Sequence, residues 1–271
     1  PSLSEAGRRE STGWLRARLR TRTVGEGQLV VSGGYRQETV ESDALTIDVK
    51  AIPAWHAGVH ASQPVGERWR FDAAGRLDYH PLTNVRPSWR TSALFAPSER
   101  LELRASGGSA FRRPTWIETY ARFRDPHDDV ILLEGTPDLD PQQTTSVEAA
   151  ITIEPAKGVW IREVAWVASF DNLITQDNHP FILKSFRNVS STRLVDAVGS
   201  ETEVEWRRDA ALVPRLAVSV LDLKDATDPG QSVGVPNQNP WLTVSAGVRG
   251  ALGSVRYGAS IDWMAARSFD A

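Results

Sequence analysis

Hydrophobic and polar positions alternate along most of this chain, and the clearest case is the segment from residue 68 to residue 79. One side of that segment carries only apolar or small residues, and the other side carries five charges. The apolar side comprises Trp69, Phe71, Ala73, Gly75, Leu77 and Tyr79, and the charged side comprises Arg68, Arg70, Asp72, Arg76 and Asp78. Successive side chains of a β-strand point to opposite faces of the sheet, so the segment is predicted to be a strand with one hydrated and one apolar face.

Segments with this period of two recur along the chain, and tight turns alternate with long polar loops between them. The pattern predicts about twelve strands of roughly 10–12 residues, against ~5–6 for a typical globular strand and ~9–11 for an oblique bilayer crossing. Outer-membrane barrels order their connections in this way because their periplasmic turns are short and their extracellular loops are long. The sequence therefore predicts an all-β fold, an antiparallel transmembrane β-barrel.

The stretch from residue 101 to residue 154 joins two such strands through an Arg-Pro break and a proline-bracketed turn. The break reads Phe111, Arg112, Arg113 and Pro114, the turn contains Pro137, Leu139 and Pro141, and Glu148 lies in the strand that follows. This order resembles the barrel of TonB-dependent outer-membrane receptors, although Thr136 and Gln142 stand where that family has asparagine and glutamate. We interpret these residues as structural, because proline fixes φ and ends the pairing of a strand.

The resemblance implies a receptor that takes up a scarce nutrient, such as a ferric siderophore or cobalamin, across the outer membrane of a Gram-negative bacterium. Its partners would be a small-molecule ligand (a metal chelate in the siderophore case), outer-membrane lipid, and TonB acting through a plug domain. It implies neither an enzyme nor a bound cofactor. Two alternatives stay open, namely a passive porin-like channel and a soluble β-rich binding or carbohydrate-active protein.

The direction of the strands predicts that residues 1–271 form a partial barrel. If the short turns are periplasmic, the strand that begins at Gly13 runs inward and the strand from Val255 to Trp263 runs outward. A barrel with both ends in the periplasm starts with an outward strand and finishes with an inward one. We therefore expect a larger barrel, whose terminal strands and plug domain are absent from this sequence.

Composition narrows the functional classes further. The formal net charge of −3 argues against a nucleic-acid-binding protein, and the absence of cysteine excludes disulfides and thiolate chemistry. No run of ~18 apolar residues predicts a membrane helix. The ten tryptophans lie mostly near the ends of predicted strands, as the aromatic girdles of a membrane barrel would, but an ordinary aromatic core would also use them.

Candidate catalytic or metal-binding chemistry is sparse. His56 and His60 share a strand face but lie ~13 Å apart, too far to share a metal ion. The acidic segment at residues 125–129 gathers oxygen ligands but lacks the spacing of a calcium loop. Neither a nucleophile elbow nor a phosphate-binding glycine motif is present. The sequence therefore predicts no metal site, cofactor site or catalytic residue.

Charged residues on the polar strand faces are the remaining candidates for function. Those predicted to line the lumen are Arg68, Arg70, Asp72, Arg76 and Arg104, with Arg16, Arg18, Arg20 and Arg112 pointing the same way. In a receptor they could contact the plug or attract an anionic ligand, or they could simply hydrate the lumen as Arg–Glu ladders. Ligand contacts are expected in the loops at residues 123–137, 175–188 and 225–238, because specificity sits on loops that a rigid scaffold holds.

Overall fold

The structure is a computed structural model that describes residues 8–23, 26–42, 52–124, 131–177, 185–189, 197–207, 211–223 and 240–265. Its elements are β1 (Arg8–Arg22), β2 (Gln28–Ser42), β3 (Ile52–Val65), β4 (Trp69–His80), β5 (Asn84–Ser98), β6 (Leu101–Arg112), α1 (Trp116–Tyr120), β7 (Arg122–Arg124), β8 (Ile131–Glu134), β9 (Gln142–Ala156), β10 (Val159–Asp171), β11 (Leu173–Asp177), β12 (Ser185–Val189), β13 (Ala197–Trp206), β14 (Val213–Leu223), β15 (Leu242–Leu252) and β16 (Val255–Ala265).

Twelve of these strands form one antiparallel sheet in the order β1-β2-β3-β4-β5-β6-β9-β10-β13-β14-β15-β16. Every strand therefore pairs with its neighbour in the chain, apart from the short strands inserted before β9 and β13. Strands β1 and β16 form the two edges, and no pairing among the described residues joins them, so the sheet is open. An open antiparallel sheet of twelve long, sequentially paired strands is consistent with part of a larger barrel, and the predicted fold class is confirmed.

One face of the sheet is largely apolar. Pairing places Val147 of β9 between Gly107 of β6 and Val167 of β10, so that apolar residues continue from strand to strand. Large apolar side chains stay exposed on this face: Leu15 is 74% exposed, Val147 58% and Ile261 73%. A contiguous exposed apolar surface marks a contact with membrane or partner, and in a barrel it is the face that meets lipid.

Aromatic residues gather on the apolar face near both ends of β4. Trp69 stacks on Phe95 with 4.3 Å between ring centroids, and Trp55 stacks on Tyr79 with 5.5 Å. The two stacks are ~33 Å apart along the strand, which places them on either side of an apolar band ~25 Å tall. Not every tryptophan follows this pattern, because Trp166 packs over Gly199 on the polar face, where a Cβ at residue 199 would lie 2.5 Å from Trp166 Cε2.

The opposite face is polar and carries most of the charge. Glu203 of β13 pairs with Arg215 of β14 at 2.9 Å, an ion pair of the kind expected to line a hydrated interior. The large cavities also lie on this face, so we call it the inner face. Glu163 departs from the pattern, since it lies on the apolar face and accepts a hydrogen bond from the hydroxyl of Thr202.

The long connections are not simple loops. Strands β7, β8, β11 and β12 form a second, four-stranded sheet in the order β11-β12-β8-β7, and α1 precedes it. The segments at residues 123–137 and 175–188, predicted to be loops, thus contain short strands that pair with each other. The segments at 125–129 and 225–238 lie outside the described residues.

Two further features complete the architecture. Within the described ranges, no helix is long and apolar enough to cross a membrane.

Strands β4 and β5 are joined by only three residues, 81–83, although this connection lies at the end of the sheet where the other connections are long. The expected alternation of short and long connections fails at this one place. The short turn lies beside the start of α1, because Leu82 of the turn and the residues from Pro114 to Ile117 border the same pocket.

Candidate functional site

The inner face carries a cavity of about 510 Å³ between β1 and β6. Its charged and titratable lining consists of Arg16, Arg18, His56, His60, Arg76 and Arg90. Arg76 is held by Asp78, with Nε 2.7 Å from Oδ2. The other three arginines take part in no ion pair among the described residues. The wall of the lumen is therefore strongly basic at mid-height.

A second cavity, of about 480 Å³, lies at the end of the sheet where the long connections emerge. Next to it Glu38, only 6% exposed, accepts a hydrogen bond of 2.6 Å from Arg113 Nη2 and also pairs with Arg36. A buried carboxylate is costly unless cations compensate it. Arg113, part of the Arg-Pro break, thus anchors the segment after β6 to the end of β2.

The residue before it, Arg112, holds the start of α1. Its Nη1 and Nη2 donate to the two carboxylate oxygens of Glu118 at 2.9 and 3.0 Å. Glu118 also accepts from Thr115 N at 2.7 Å, while Thr115 Oγ1 accepts from Glu118 N, which is a capping box. Partial burial of Glu118 works to raise its pKa, but the bonds from Arg112 and Thr115 outweigh it and hold the pKa below its ordinary value.

The small sheet is fastened to the proline-bracketed turn through Asn188 of β12. Asn188 Oδ1 accepts from Asp140 N at 2.7 Å, and its Nδ2 donates to the carbonyl oxygens of Asp140 and Asn172, both at 2.9 Å. Thr136 Oγ1 adds a bond of 2.5 Å to Phe186 O. Two loops that are distant in sequence therefore form one folded unit, which we call the cap and which comprises α1, the small sheet and residues 135–141.

Within the cap, glycine is required where residue 135 approaches the end of α1. A Cβ at Gly135 would lie 2.5 Å from Tyr120 N and 2.6 Å from Thr119 C, closer than real Cβ atoms approach the backbone. The close approach lets Gly135 N donate to Ala121 O at 2.7 Å and Thr136 N to Glu118 O at 2.8 Å. Backbone contacts thus join residues 135 and 136 of the cap to its helix α1, and Thr119 of that helix is only 2% exposed.

The predicted motif residues lie in the cap or next to it, with the exception of Glu148. Phe111 and Arg112 end β6, Arg113 and Pro114 lead into α1, Pro137 and Leu139 lie in the turn, Pro141 directly precedes β9, and Glu148 lies on the inner face of β9 opposite Ser106. Leu139 is only 6% exposed. The structural role that we inferred for these residues stays a prediction.

The predicted lumen-lining residues divide into two groups. Arg70, Asp72, Arg76 and Arg104 project from strands on the inner face, whereas Arg68 lies in the turn between β3 and β4. Asp72 and Arg104 border a smaller cavity, and the lumen-lining role of all five residues stays a prediction. Sequence reasoning missed Glu38 and Asn188, because their partners lie 75 and 48 residues away.

Comparison with protein families identifies the chain. A family model described as TonB dependent receptor-like, beta-barrel, matches residues 7–266. The chain belongs to the TonB-dependent receptor family. The resemblance found in the sequence is confirmed, and the family consists of receptors and transporters rather than enzymes. A sequence search of curated proteins found no match.

Solved structures of TonB-dependent receptors share the fold. A variant of the ferric enterobactin receptor PfeA from Pseudomonas aeruginosa has a TM-score of 0.73 at 12% identity over 97% of this chain and 43% of its own. The siderophore receptor PirA from Acinetobacter baumannii gives 0.70 at 10% identity, over 91% and 41%. The FrpB iron transporter from Neisseria meningitidis gives 0.62 at 12% identity, over 92% and 41%. The chain thus spans about two fifths of the length of these receptors.

Proposed function

We propose that the protein is the barrel portion of an outer-membrane receptor that takes up a scarce nutrient, such as a ferric siderophore or cobalamin, into a Gram-negative bacterium. TonB, acting through a plug domain, would energise the uptake. The family membership supports the receptor class, and the nutrient is inferred from the solved structures that share the fold, which are receptors for siderophores and iron.

The observation that carries the proposal is the combination of an apolar outer face with a charged inner face in one open sheet of twelve strands. Such a wall is stable only with lipid on one side and water on the other. The cap stands at the end of the wall where the long connections emerge. A folded cap above a hydrated lumen supplies the preorganised surface that a receptor needs for a dilute ligand.

Uptake by cells tests the proposal. We would produce the protein from its native gene in a Gram-negative strain without its own receptors, and measure uptake of radiolabelled ferric enterobactin and radiolabelled cobalamin. The protein should fractionate with the outer membrane, and at least one of the two nutrients should accumulate. Recovery of the protein in aqueous buffer without detergent would refute the membrane location and favour a soluble binding protein.

Energy dependence separates a receptor from a passive channel. Collapse of the proton-motive force should stop accumulation while ligand still binds to the cell surface, because binding requires only the barrel and its cap. A porin-like channel would show neither saturable binding nor sensitivity to the uncoupler. Loss of TonB should have the same effect as the uncoupler, and normal accumulation without TonB would contradict the proposed energy source.

A further inference from the structure

The start of the cap touches the barrel wall through the side chains of Arg113 and Trp116. Arg113 Nη2 donates to the carboxylate of Glu38 in β2 at 2.6 Å. The Trp116 ring lies edge-on to the His80 ring at the end of β4, with 6.1 Å between the two centroids. The position of α1 over the wall therefore depends on one ion pair and one ring contact.

Glu38 has a second cation, so it can part from Arg113 without becoming unpaired. Arg36 lies two residues earlier on the same inner face of β2 and pairs with the same oxygen, Oε1, that Arg113 binds. Glu38 is only 6% exposed, and a buried carboxylate that loses its only cation is strongly destabilising. Because Arg36 belongs to the wall rather than to the cap, Glu38 keeps one partner after Arg113 leaves.

The arrangement in the structure leaves two buried donors unsatisfied. Arg113 Nη1 and His80 Nε2 are buried and have no hydrogen-bond partner among the described residues. Leu82 N donates to His80 Nδ1 at 3.2 Å, so Nε2 carries the hydrogen of the neutral ring and is a donor, like Arg113 Nη1. Two donors cannot satisfy each other, and each one costs free energy while it is held away from water. Movement of Arg113 and Trp116 away from the wall would return both donors to water.

We propose that the Arg113–Glu38 pair is a latch that lets the start of the cap open and close over the wall. In the closed position Arg113 and Arg36 share Glu38. In the open position Arg36 alone holds Glu38, while Arg113 and α1 move away from β2 and β4. The latch is independent of the proposed uptake, because it needs only residues of the wall and the cap.

Opening of the latch would change the cavities at this end of the wall. Arg113 borders both the second cavity, of about 480 Å³, and a cavity of about 270 Å³ that lies between Leu82 and the start of α1. Departure of Arg113 therefore joins the two cavities and uncovers the turn between β4 and β5. The latch thus controls access to the second cavity from the side of the cap.

Cysteine labelling measures the opening, because the chain contains no cysteine of its own. Thr83 in the turn between β4 and β5 is only 3% exposed and lines the second cavity together with Arg113. In the purified Thr83→Cys protein in detergent micelles, a maleimide should react at this position only while the latch is open. Arg113→Gln and Glu38→Gln should each raise the labelling rate about tenfold, since either change removes the charge-assisted bond. Glu38→Gln keeps the Arg113 side chain, so faster labelling there reports movement rather than a shortened side chain.

Arg36→Gln is the distinguishing variant, because it leaves Arg113 as the one cation that the structure places on Glu38. Release of Arg113 would then leave Glu38 unpaired, so labelling should slow about tenfold. In the Glu38→Gln background the same change should have no effect. Arg16→Gln is the matched control, since Arg16 lines the second cavity but forms no ion pair with Glu38 in the described part of the chain. It should alter the labelling rate by less than about twofold.

The proposal requires the two arginines to have opposite effects. If Arg36→Gln accelerated labelling as Arg113→Gln does, both arginines would simply fasten the cap, and the latch would be overturned. An unchanged rate in Arg36→Gln would also overturn it, as would an unchanged rate in both Arg113→Gln and Glu38→Gln.

Discussion

Replacement of Asn188 by alanine should loosen the cap without unfolding the barrel. The Asn188 side chain makes three hydrogen bonds that join β12 to the proline-bracketed turn and to Asn172. Alanine removes all three. The bond from Thr136 to Phe186 remains, so the two loops should still associate, and the change should be confined to the cap.

The magnitude follows from the number and exposure of these bonds. A hydrogen bond contributes ~0.5–1.5 kcal/mol net, and the lower part of that range applies because Asp140 is exposed to water. Loss of three bonds should therefore make local opening of the cap easier by about 2 kcal/mol. That free energy corresponds to an increase of about 30-fold in the opening equilibrium.

Amide hydrogen exchange reports the loosening of the turn, because Asp140 N donates to the lost acceptor. The Asp140 amide should exchange about 30-fold faster in Asn188→Ala, while amides in the centre of β9 and β10 keep their rates. Gln176→Ala is the control, since Gln176 lies exposed in β11 of the same small sheet and should leave the Asp140 rate unchanged.

Two outcomes would refute this reasoning. If the Asp140 amide exchanged at the same rate in both variants and in the native protein, the Asn188 bonds would not hold the turn. If exchange rose equally in the barrel strands, the cap would not be a separate cooperative unit. In the first case the turn would be held by the backbone contacts of residues 135 and 136 with α1 alone.

Three further predictions concern the outer wall, the inner packing and the helix. Val147→Arg places a charge near the middle of the lipid-facing side of β9 and should destabilise the protein by about 2–4 kcal/mol in urea unfolding with lipid vesicles. Gly199→Ala puts a Cβ 2.5 Å from Trp166 Cε2 and should lower the free energy of unfolding by about 1–3 kcal/mol. The pKa of Glu118 is lower in the folded state than in the unfolded one. The stability that its ionised carboxylate gives to α1 is therefore complete above the unfolded pKa and is lost as the pH falls through the folded pKa. Trp116 fluorescence should report disorder of α1 only in acid.

Each of these predictions has a control in the same chain. Ser146→Arg puts the same charge on the inner face of β9, and it should be tolerated where Val147→Arg is not. Gly13→Ala meets no atom within 4 Å and should leave stability unchanged. Glu118→Gln should remove the acid transition of α1; persistence of that transition in this variant would assign it to another group.

The strands were predictable because the alternation of apolar and polar residues that defines them is a local feature of the sequence. Each strand of the wall has lipid on one side and water on the other, so every second residue is apolar, as Leu101, Leu103 and Ala105 of β6 are. The cap was not predictable in this way. Strand β7 has three residues and β8 has four, too few to establish a period, and the small sheet forms only because distant loops meet.

The sequence by itself determined the two-faced strands, the turns between most of them and the residues of the Arg-Pro break, since each depends on neighbours within a few positions. Only the tertiary structure decided that Glu38 is buried between Arg36 and Arg113, and that Asn188 fastens two loops together. In the alternating pattern Glu38 is one more polar residue near the end of a strand. Its burial arises because the chain after β6 returns across the sheet, and the route of a long connection is set by packing rather than by local alternation.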